Sequence, residues 1–347
     1  MRFYTGQHQH YCGVDLHARS MYVCVLDQES DKVLHRNLRA DPDAFLKAVR
    51  PFAGDLVVGA ECMFTWYWLA DLCRDEGIPF VLGHALYMKA IHGAKAKNDR
   101  IDSAKIAALL KGGIFPMAYV YPREWRSTRD LLRRRLHFVY KRGELLTHIQ
   151  NTYHQYNITP SSAKLRYRVN RVGVADVFPD LGSRKNVAVD LALIDRLDQV
   201  IHDLETFLMR RVKVHDGDSF HRLQSIPGVG KILGMTILYE IHDIGRFPRV
   251  QDFSSYARLV KCAHESGGKR SGSGGAKIGN AHLRWAFGEA VLLMLRGNEE
   301  LKKKRQRLER KHGKGKSLAI LAHKLGRAVY FMLKRKETFQ MKRFLET

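Results

Sequence analysis

The sequence predicts an α/β amino-terminal domain built on a mixed sheet, a helical and coiled-coil middle, and a mainly α-helical carboxy-terminal domain. Three observations predict it. Three short β-rich runs open the chain and give way to strands interleaved with helical patterns. Aliphatic residues between 194 and 208 recur at spacings of 3, 4, 3 and 4. The basic surplus is confined to two blocks, both outside the first 110 residues. A length of 347 residues suits two or three domains, read here as 1–122, 123–216 and 217–347.

In the first domain, 11–17 (YCGVDLH) and 20–27 (SMYVCVLD) are β-rich runs separated by a turn, which suggests a hairpin. Residues 33–39 supply a third strand. Asp41-Pro42 opens a helix, with Pro42 near its first position. LVVGAE (56–61) is a buried-type strand, 64–76 is helical, and PFVLG (79–83) is a strand ended by Gly83. From Arg100 to Lys111 the aliphatic residues recur at helical spacing. One long basic helix is expected over 123–150. A Pro/Ser-containing region (159–162) and a polar stretch to about 186 follow. Ile194, Leu197, Ile201, Leu204 and Leu208 then form a seam of about two heptads. Such a seam suits a coiled-coil hairpin, a contact between subunits, or a helix packed on its own domain. Helices resume after Gly217, with a Gly/Ser-rich loop at 266–275 and a very basic helix at 301–311.

Lys and Arg number 59 against 35 Asp and Glu, a net charge of +24. A surplus of that size points to a polyanionic partner. It is unevenly spread: residues 1–110 are net 0, 111–186 net +10, 187–257 net −2 and 258–347 net +16. A merely solvated surface would mix both signs throughout, so the two basic blocks are expected to grip nucleic acid and the neutral head to do something else. No run of about 18 apolar residues predicts a membrane span. The first residues lack an apolar signal core, so a cytoplasmic location is expected. Five scattered cysteines without a C-x-x-C pair argue against a disulfide framework and against a zinc site.

The suggestive residues of the neutral head are acidic. Asp15 sits between Val14 and Leu16 in a strand, where a carboxylate is costly unless hydrogen-bonded or metal-bound. Glu61 ends the next buried strand. Asp99 and Asp102, three apart at a helix start, share one helical face. Hard cations such as Mg²⁺ take carboxylate oxygens, and two such ions stabilise the attacking and leaving oxygens of a phosphodiester. Taken singly, each residue has a structural alternative: Asp99 as an N-cap, Asp102 as a partner of the helix dipole, Glu61 as a loop residue. His8, His10 and His17 are read as a mobile tail plus one strand-end residue, not as ligands.

The blocks G-V-D-L-H (13–17), A-E-C (60–62) and K-N-D-R-I-D-S-A-K-I-A (97–107) resemble the RuvC-like branch of the ribonuclease-H fold. The last block is similar to the K-x-D-R-x-D-A-x-x-I-A signature of the DEDD transposases of insertion-sequence family 110, with its relatives of family 1111 and the pilin-gene invertases. The resemblance implies Asp15, Glu61, Asp99 and Asp102 as the metal-binding tetrad, and two Mg²⁺ ions are expected there.

In the second half, S-I-P-G-V-G-K (225–231) reads as a helix-hairpin-helix turn in which Gly228, Gly230 and Lys231 approach a phosphate; an ordinary Pro-Gly turn is the alternative. S-G-G-K (266–269) and K-I-G-N-A-H-L-R (277–284) resemble the family's S-G-G-K and K-x-G-N-x-x-L-R patterns. On composition alone Ser266 belongs to a polar linker or phosphate loop; the resemblance implies that it is the nucleophile, with Ser271 and Ser273 as lesser candidates. Where the family usually has Gly-Leu-x-Pro, this chain has Arg258-Leu259-Val260-Lys261. Arg133, Arg134 and Arg135 in the long helix, with Lys269, Arg270, Lys277 and Arg284, are the expected nucleic-acid contacts.

The expected function is therefore a site-specific DNA transposase or recombinase working through a covalent phosphoserine. The resemblance implies target and donor DNA, a bridge RNA as guide, assembly as a homodimer or homotetramer, and a prokaryotic, nucleoid-associated setting. Two other readings compete: a RuvC-like nuclease that hydrolyses DNA with water, and a non-catalytic nucleic-acid-binding protein.

Overall fold

The computed structural model describes residues 2–91, 98–160, 162–261, 265–267, 269–270 and 278–346. It divides into two compact units, 1–123 and 124–347.

The first unit is a mixed sheet with helices on both faces. β1 (Phe3–Tyr4) pairs with a late strand, β7 (Phe115–Pro116). β2 (His10–Leu16), β3 (Ser20–Leu26) and β4 (Lys32–Arg39) form an antiparallel meander. β5 (Leu56–Glu61) then joins β2 in parallel, and β6 (Phe80–Gly83) joins β5 in parallel. The resulting order is β4-β3-β2-β5-β6. The switch from antiparallel to parallel follows from the connections, because a tight turn can only reverse the chain whereas a helical crossover returns it in the same sense. α1 (Pro42–Val49) and α2 (Trp66–Asp75) are those crossovers. Asp41 caps α1, its side chain accepting from Ala44 N, with Pro42 in the first turn. α2 starts two residues later than its sequence pattern suggested, and Phe64 stands exposed.

Side chains alternate across the sheet. Cys12, Val14, Met21, Val23, Val58 and Ala60 face Phe45, Val49, Leu69 and Cys73 of α1 and α2. On the opposite face Tyr11, Val57 and Val81 meet Ile106, Leu109 and Leu110 of α4 (Asp99–Lys111), with α3 (Ala85–Ile91) supplying Met88. α4 lies very close to the strands. A Cβ added at Gly13 would stand 2.1 Å from the carbonyl oxygen of Ser103 and 2.4 Å from the amide of Ala107. Gly59 is the register partner of Gly13, and a Cβ there would meet Leu110 at 2.6 Å. Two adjacent glycines thus make the floor on which α4 rests.

The second unit is helical apart from one short hairpin. α5 (Arg123–Gln155) runs on five residues beyond its predicted end. α6 (Leu181–Gln224) begins at Leu181, capped by Asp180, and not near 187. It is broken at Asp216 (φ −160, ψ 78), one residue before Gly217. α5 and α6 pack antiparallel. Arg135 pairs with Glu205, Arg142 with Asp198 at 2.6 Å, and His148 with Asp190 at 2.5 Å, so partners ascend in one helix as they descend in the other. Ile194, Ile201 and Leu208 of the heptad seam are buried within this chain; Ile194 packs with Ile149 and Tyr153 of α5, and Leu208 joins the core that holds Leu132. The seam thus builds the intramolecular hairpin through Ile194, Ile201 and Leu208, while Leu197 and Leu204 are half-buried. α7 (Lys231–Ile241), α8 (Val250–Tyr256), α9 (Ala281–Arg296), α10 (Glu299–His312), α11 (Lys314–Arg335) and α12 (Met341–Glu346) enclose a core that includes Phe220, Tyr239, Phe253 and Phe287. β8 (Glu265–Ser266) and β9 (Lys269–Arg270) form an antiparallel hairpin within the Gly/Ser-rich loop. Among the described residues, no helix is long and apolar enough to cross a membrane, and four cysteines are free thiols.

Gly13→Ala must push α4 off the sheet, because the obstructing atoms belong to its backbone. A loss of about 1–3 kcal/mol is expected in denaturant unfolding. Gly59→Ala is expected to lose less, since Leu110 can change rotamer.

Candidate active site

Tyr11, Gly13 and Asp15 alternate onto the α4 face of β2; Val57, Gly59 and Glu61 do so on β5. Val14 and Ala60 are register partners, so Asp15 and Glu61 lie one step further along neighbouring parallel strands, at their carboxyl ends. α4 crosses above with its first turn over that same end, bringing Asp99 and Asp102 to it. The helix is capped by Asn98, whose side-chain oxygen accepts from Ile101 N at 2.8 Å. The alternative in which Asp99 caps the helix therefore does not hold.

Asp15, His17 and Asp99 present ligand atoms that all lie within 4.8 Å of one another. His17 Nε2 is 3.5 Å from Asp15 Oδ2 and 3.4 Å from Asp99 Oδ1. Glu61 and Asp102 stand outside that group, and Asp102 also contacts Lys105 Nζ at 3.4 Å. Burial pushes the Asp15 carboxyl above its ordinary range; His17 pulls it back, and the like charges of Asp99, Asp102 and Glu61 raise it further. Asp15 thus feels the charge of the other three sequence-predicted carboxylates, although only Asp99 shares ligand distance with it. Oxygen donors in excess of local cations suit a divalent ion, and an imidazole is a good ligand for the later transition metals. His17 was missed as a member of this group. Its signal was present: two residues after Asp15, it continues the period-two face of the strand.

The remaining histidines were also misread. His8 is no mobile tail: its Nδ1 meets Asp55 Oδ1 at 2.6 Å and its Nε2 meets the Tyr4 hydroxyl at 2.6 Å. His10 opens β2 with its ring 5.0 Å from Phe52.

In the second unit, the serine loop has a well-defined neck. Asn280 N donates to Tyr256 O at 2.6 Å, and Arg258 Nε donates to Ile278 O at 2.8 Å. A Cβ at Gly279 (φ +87) would stand 2.6 Å from Tyr256 O, so only glycine lets the two sides of the neck close. Arg258, where the family usually has glycine, adopts φ +54, the left-handed backbone that glycine favours. Asn280 caps α9, accepting from Leu283 N at 3.0 Å, and its amide donates to Glu240 Oε2 at 2.7 Å. Glu240 of α7 is buried and also receives Arg133 Nε at 2.6 Å and Arg129 Nη2 at 2.9 Å. Burial alone would raise its pKa; Arg133, Arg129 and Asn280 together hold it down, to about 2.

This network corrects two nucleic-acid contacts. Arg133 is committed to Glu240 and Arg135 to Glu205, so their guanidinium groups neutralise internal carboxylates. Arg134 is exposed, beside the Phe138 ring. Gly228 (φ +84) is a packing glycine, since a Cβ there would stand 2.7 Å from Met294 N of α9. Gly230 and Lys231 are exposed at the start of α7, and Arg284 is exposed on α9. Ser266 is paired in register with Lys269, and Gly267 between them has φ +58. The side chains of Ser266, Lys269 and Arg270 lie outside the described residues, as do Ser271, Ser273 and Lys277 entirely.

Comparison with known proteins gives two family matches. Residues 12–158 match a transposase family of DEDD type associated with IS110, and residues 220–306 match the transposase IS116/IS110/IS902 family. The chain is also 26% identical over 335 residues to the transposase for insertion sequence element IS1111A of Coxiella burnetii (strain RSA 493 / Nine Mile phase I), covering 94% of this chain and 90% of that protein.

The raised Asp15 pKa fixes the sign of one prediction. Since the folded state holds this proton more tightly than the unfolded state, stability falls as pH rises through the raised pKa. Asp15→Asn is expected to raise the metal-free Tm near neutral pH and to abolish the Tm increase that Mg²⁺ or Mn²⁺ gives the parent, read by thermal shift. Glu240 has the opposite sign. Its stabilisation is complete above about 4.5, the ordinary value, and is lost as pH falls towards 2. Glu240→Gln leaves two arginines unbalanced and is expected to lose about 3–5 kcal/mol at pH 7, with a flattened acid limb in pH-dependent unfolding.

Proposed function

The chain belongs to the IS110/IS1111 family of transposases, and on that premise we propose that it recombines DNA with a metal-binding tetrad in its first unit and a serine nucleophile in its second. The observation that supports the proposal is the close group of Asp15, His17 and Asp99, with Glu61 ending the neighbouring parallel strand and Asp102 on the same helix, both near enough for their charges to raise the Asp15 pKa. The order of three antiparallel strands followed by two parallel ones supports a RuvC-like, ribonuclease-H type of fold for this unit.

Asp15, Glu61, Asp99 and Asp102, with His17 beside them, would hold divalent cations, Mg²⁺ and two ions in our proposal. Such ions supply neutralisation of charge on the attacking and leaving oxygens of a phosphodiester. Ser266 loses its hydroxyl proton and its Oγ attacks phosphorus. The Oγ–P bond forms, the bond to the leaving strand oxygen breaks, and that oxygen takes up a proton. A strand hydroxyl then attacks the phosphoserine and releases the serine, so the phosphodiester energy is conserved and no nucleotide cofactor is consumed. Lys269, Arg270 and Lys277 surround Ser266 in sequence and would stabilise the charge that develops on the phosphate. Gly230, Lys231, Arg134 and Arg284 are the remaining candidates for backbone contacts.

Two basic blocks, net +10 over 111–186 and net +16 over 258–347, support two polyanion surfaces, one for DNA and one for a guide RNA. We further propose a functional division at 1–122, 123–216 and 217–347, a dimeric or tetrameric assembly, and a cytoplasmic, nucleoid-associated location.

Incubation with a DNA substrate and Mg²⁺ followed by denaturing electrophoresis tests the chemistry. The parent is expected to give a protein–DNA adduct. Ser266→Ala is expected to lose both the adduct and strand cleavage, and Glu61→Gln to lose both as well. Cleavage that survives in Ser266→Ala would establish hydrolysis by water instead. A discrete RNA copurifying with the protein is expected from the guided mode.

A further inference from the structure

We propose that a cationic cavity on the flank of α4 binds a strand of nucleic acid, seating phosphates on its rim and an unstacked base or sugar on its floor. The cavity measures about 650 Å³ and lies between β3, β4 and α4 in the first unit. Lys32, His35, Arg100, Lys105 and Lys111 line it, and no Asp or Glu does. Its floor is apolar, formed by Leu26, Ile101, Ala104 and Ala108.

Three features make this a ligand site and not a chance of surface charge. The first 110 residues are net neutral, yet three of their thirteen lysines and arginines gather here, joined by Lys111, without a lining carboxylate. An evenly solvated face of a neutral domain would mix the two signs. Existing bonds also organise the cations. Lys105 reaches Asp102 at 3.4 Å, Lys111 Nζ donates to the Ser30 hydroxyl, and the His35 ring is 2.9 Å from the Arg100 carbonyl oxygen. Among the described residues, Lys32 and Arg100 have no carboxylate partner. Finally, Arg100, Ala104, Ala108 and Lys111 recur at i, i+4, i+8 and i+11, one stripe of a helix. Two alanines lie there between two cations, which leaves open apolar surface between the charges. A polyanion of repeating phosphates with flat apolar groups between them matches that pattern.

The position has a consequence for the reaction. α4 carries Asp99 and Asp102 at its start and the stripe along its flank, so a strand held in the cavity is registered against the candidate metal centre by one rigid helix. The neutral head then does more than hold metal: it holds a strand as well. This inference rests on the transposase function proposed above.

Fluorescence anisotropy with the full chain and labelled single strands of DNA and of RNA, each of mixed sequence, tests it across a salt titration. Each phosphate contact on a single strand contributes about 0.7 to the slope of log K against log salt. Lys32→Gln with Lys111→Gln is expected to make that slope shallower by about 1.4 for DNA, RNA or both, the affected strand identifying the occupant. Arg36→Gln with Arg50→Gln removes the same charge from exposed positions outside the cavity and is expected to leave the slope unchanged. Ala108→Phe fills the floor while keeping every charge; it is expected to weaken binding without altering the slope. Equal slopes for the two double variants, or unchanged affinity in Ala108→Phe, would overturn the cavity as a binding site while leaving the transposase function standing. A parent chain that binds neither strand would overturn both.

Discussion

The first unit depends on one contact, the approach of α4 to β2 over Gly13. Ser103 O and Ala107 N come so near that any side chain at Gly13 would overlap them. The same approach sets the height of α4 above the sheet, and with it the distance from Asp99 to Asp15. A strand carboxylate and a helical carboxylate share ligand distance only when helix and strand are that close. Packing and chemistry are thus one requirement here. The hydrophobic contacts of Ile106, Leu109 and Leu110 hold the helix down, and the like charges at its first turn resist being brought together. A metal ion bound there would relieve that opposition and so couple folding to ion binding in this unit.

The second unit solves a different problem, how to present a Gly-rich loop from a firm base. The loop leaves and re-enters the helices at 256–258 and 278–280, and its two sides are hydrogen-bonded to each other. Asn280 connects that neck to Glu240, and Glu240 connects to two arginines of α5. A buried carboxylate with three donors has little freedom to move. The neck is therefore fixed by charge as well as by packing, whatever the loop does beyond it.

Much of this was legible in the sequence. The meander, the crossovers and α4 follow from alternation, turn residues and helical spacing, and each lies within a few residues of its expected place. The placement of the four acids on strand ends and a helix start was legible because an acid in an apolar strand, an acid ending one, and a D-x-x-D pair are each unusual; of the four, the structure brings Asp15 and Asp99 to ligand distance. His17 was hidden by its ordinary surroundings, since period-two continuation beyond a strand's end is a weak signal. Arg133 and Arg135 were misjudged because a run of arginines on a long helix resembles a nucleic-acid contact, and only tertiary structure reveals Glu240 and Glu205 opposite them. Gly228 was misjudged for a similar reason: the helix that it accommodates, α9, lies some 65 residues further along the chain. The cationic cavity escaped because its residues come from β3, β4 and α4, and a charge count by segment averages them with the acids nearby.

The α5–α6 hairpin closes its own apolar seam, and that has a kinetic meaning for a recombinase. Ile194, Ile201 and Leu208 are already covered within one chain, so this hairpin does not need a second copy in order to fold. Association and folding are then separate equilibria. Any association between copies of this chain would then leave the hairpin's fold untouched, to be made or broken without unfolding it.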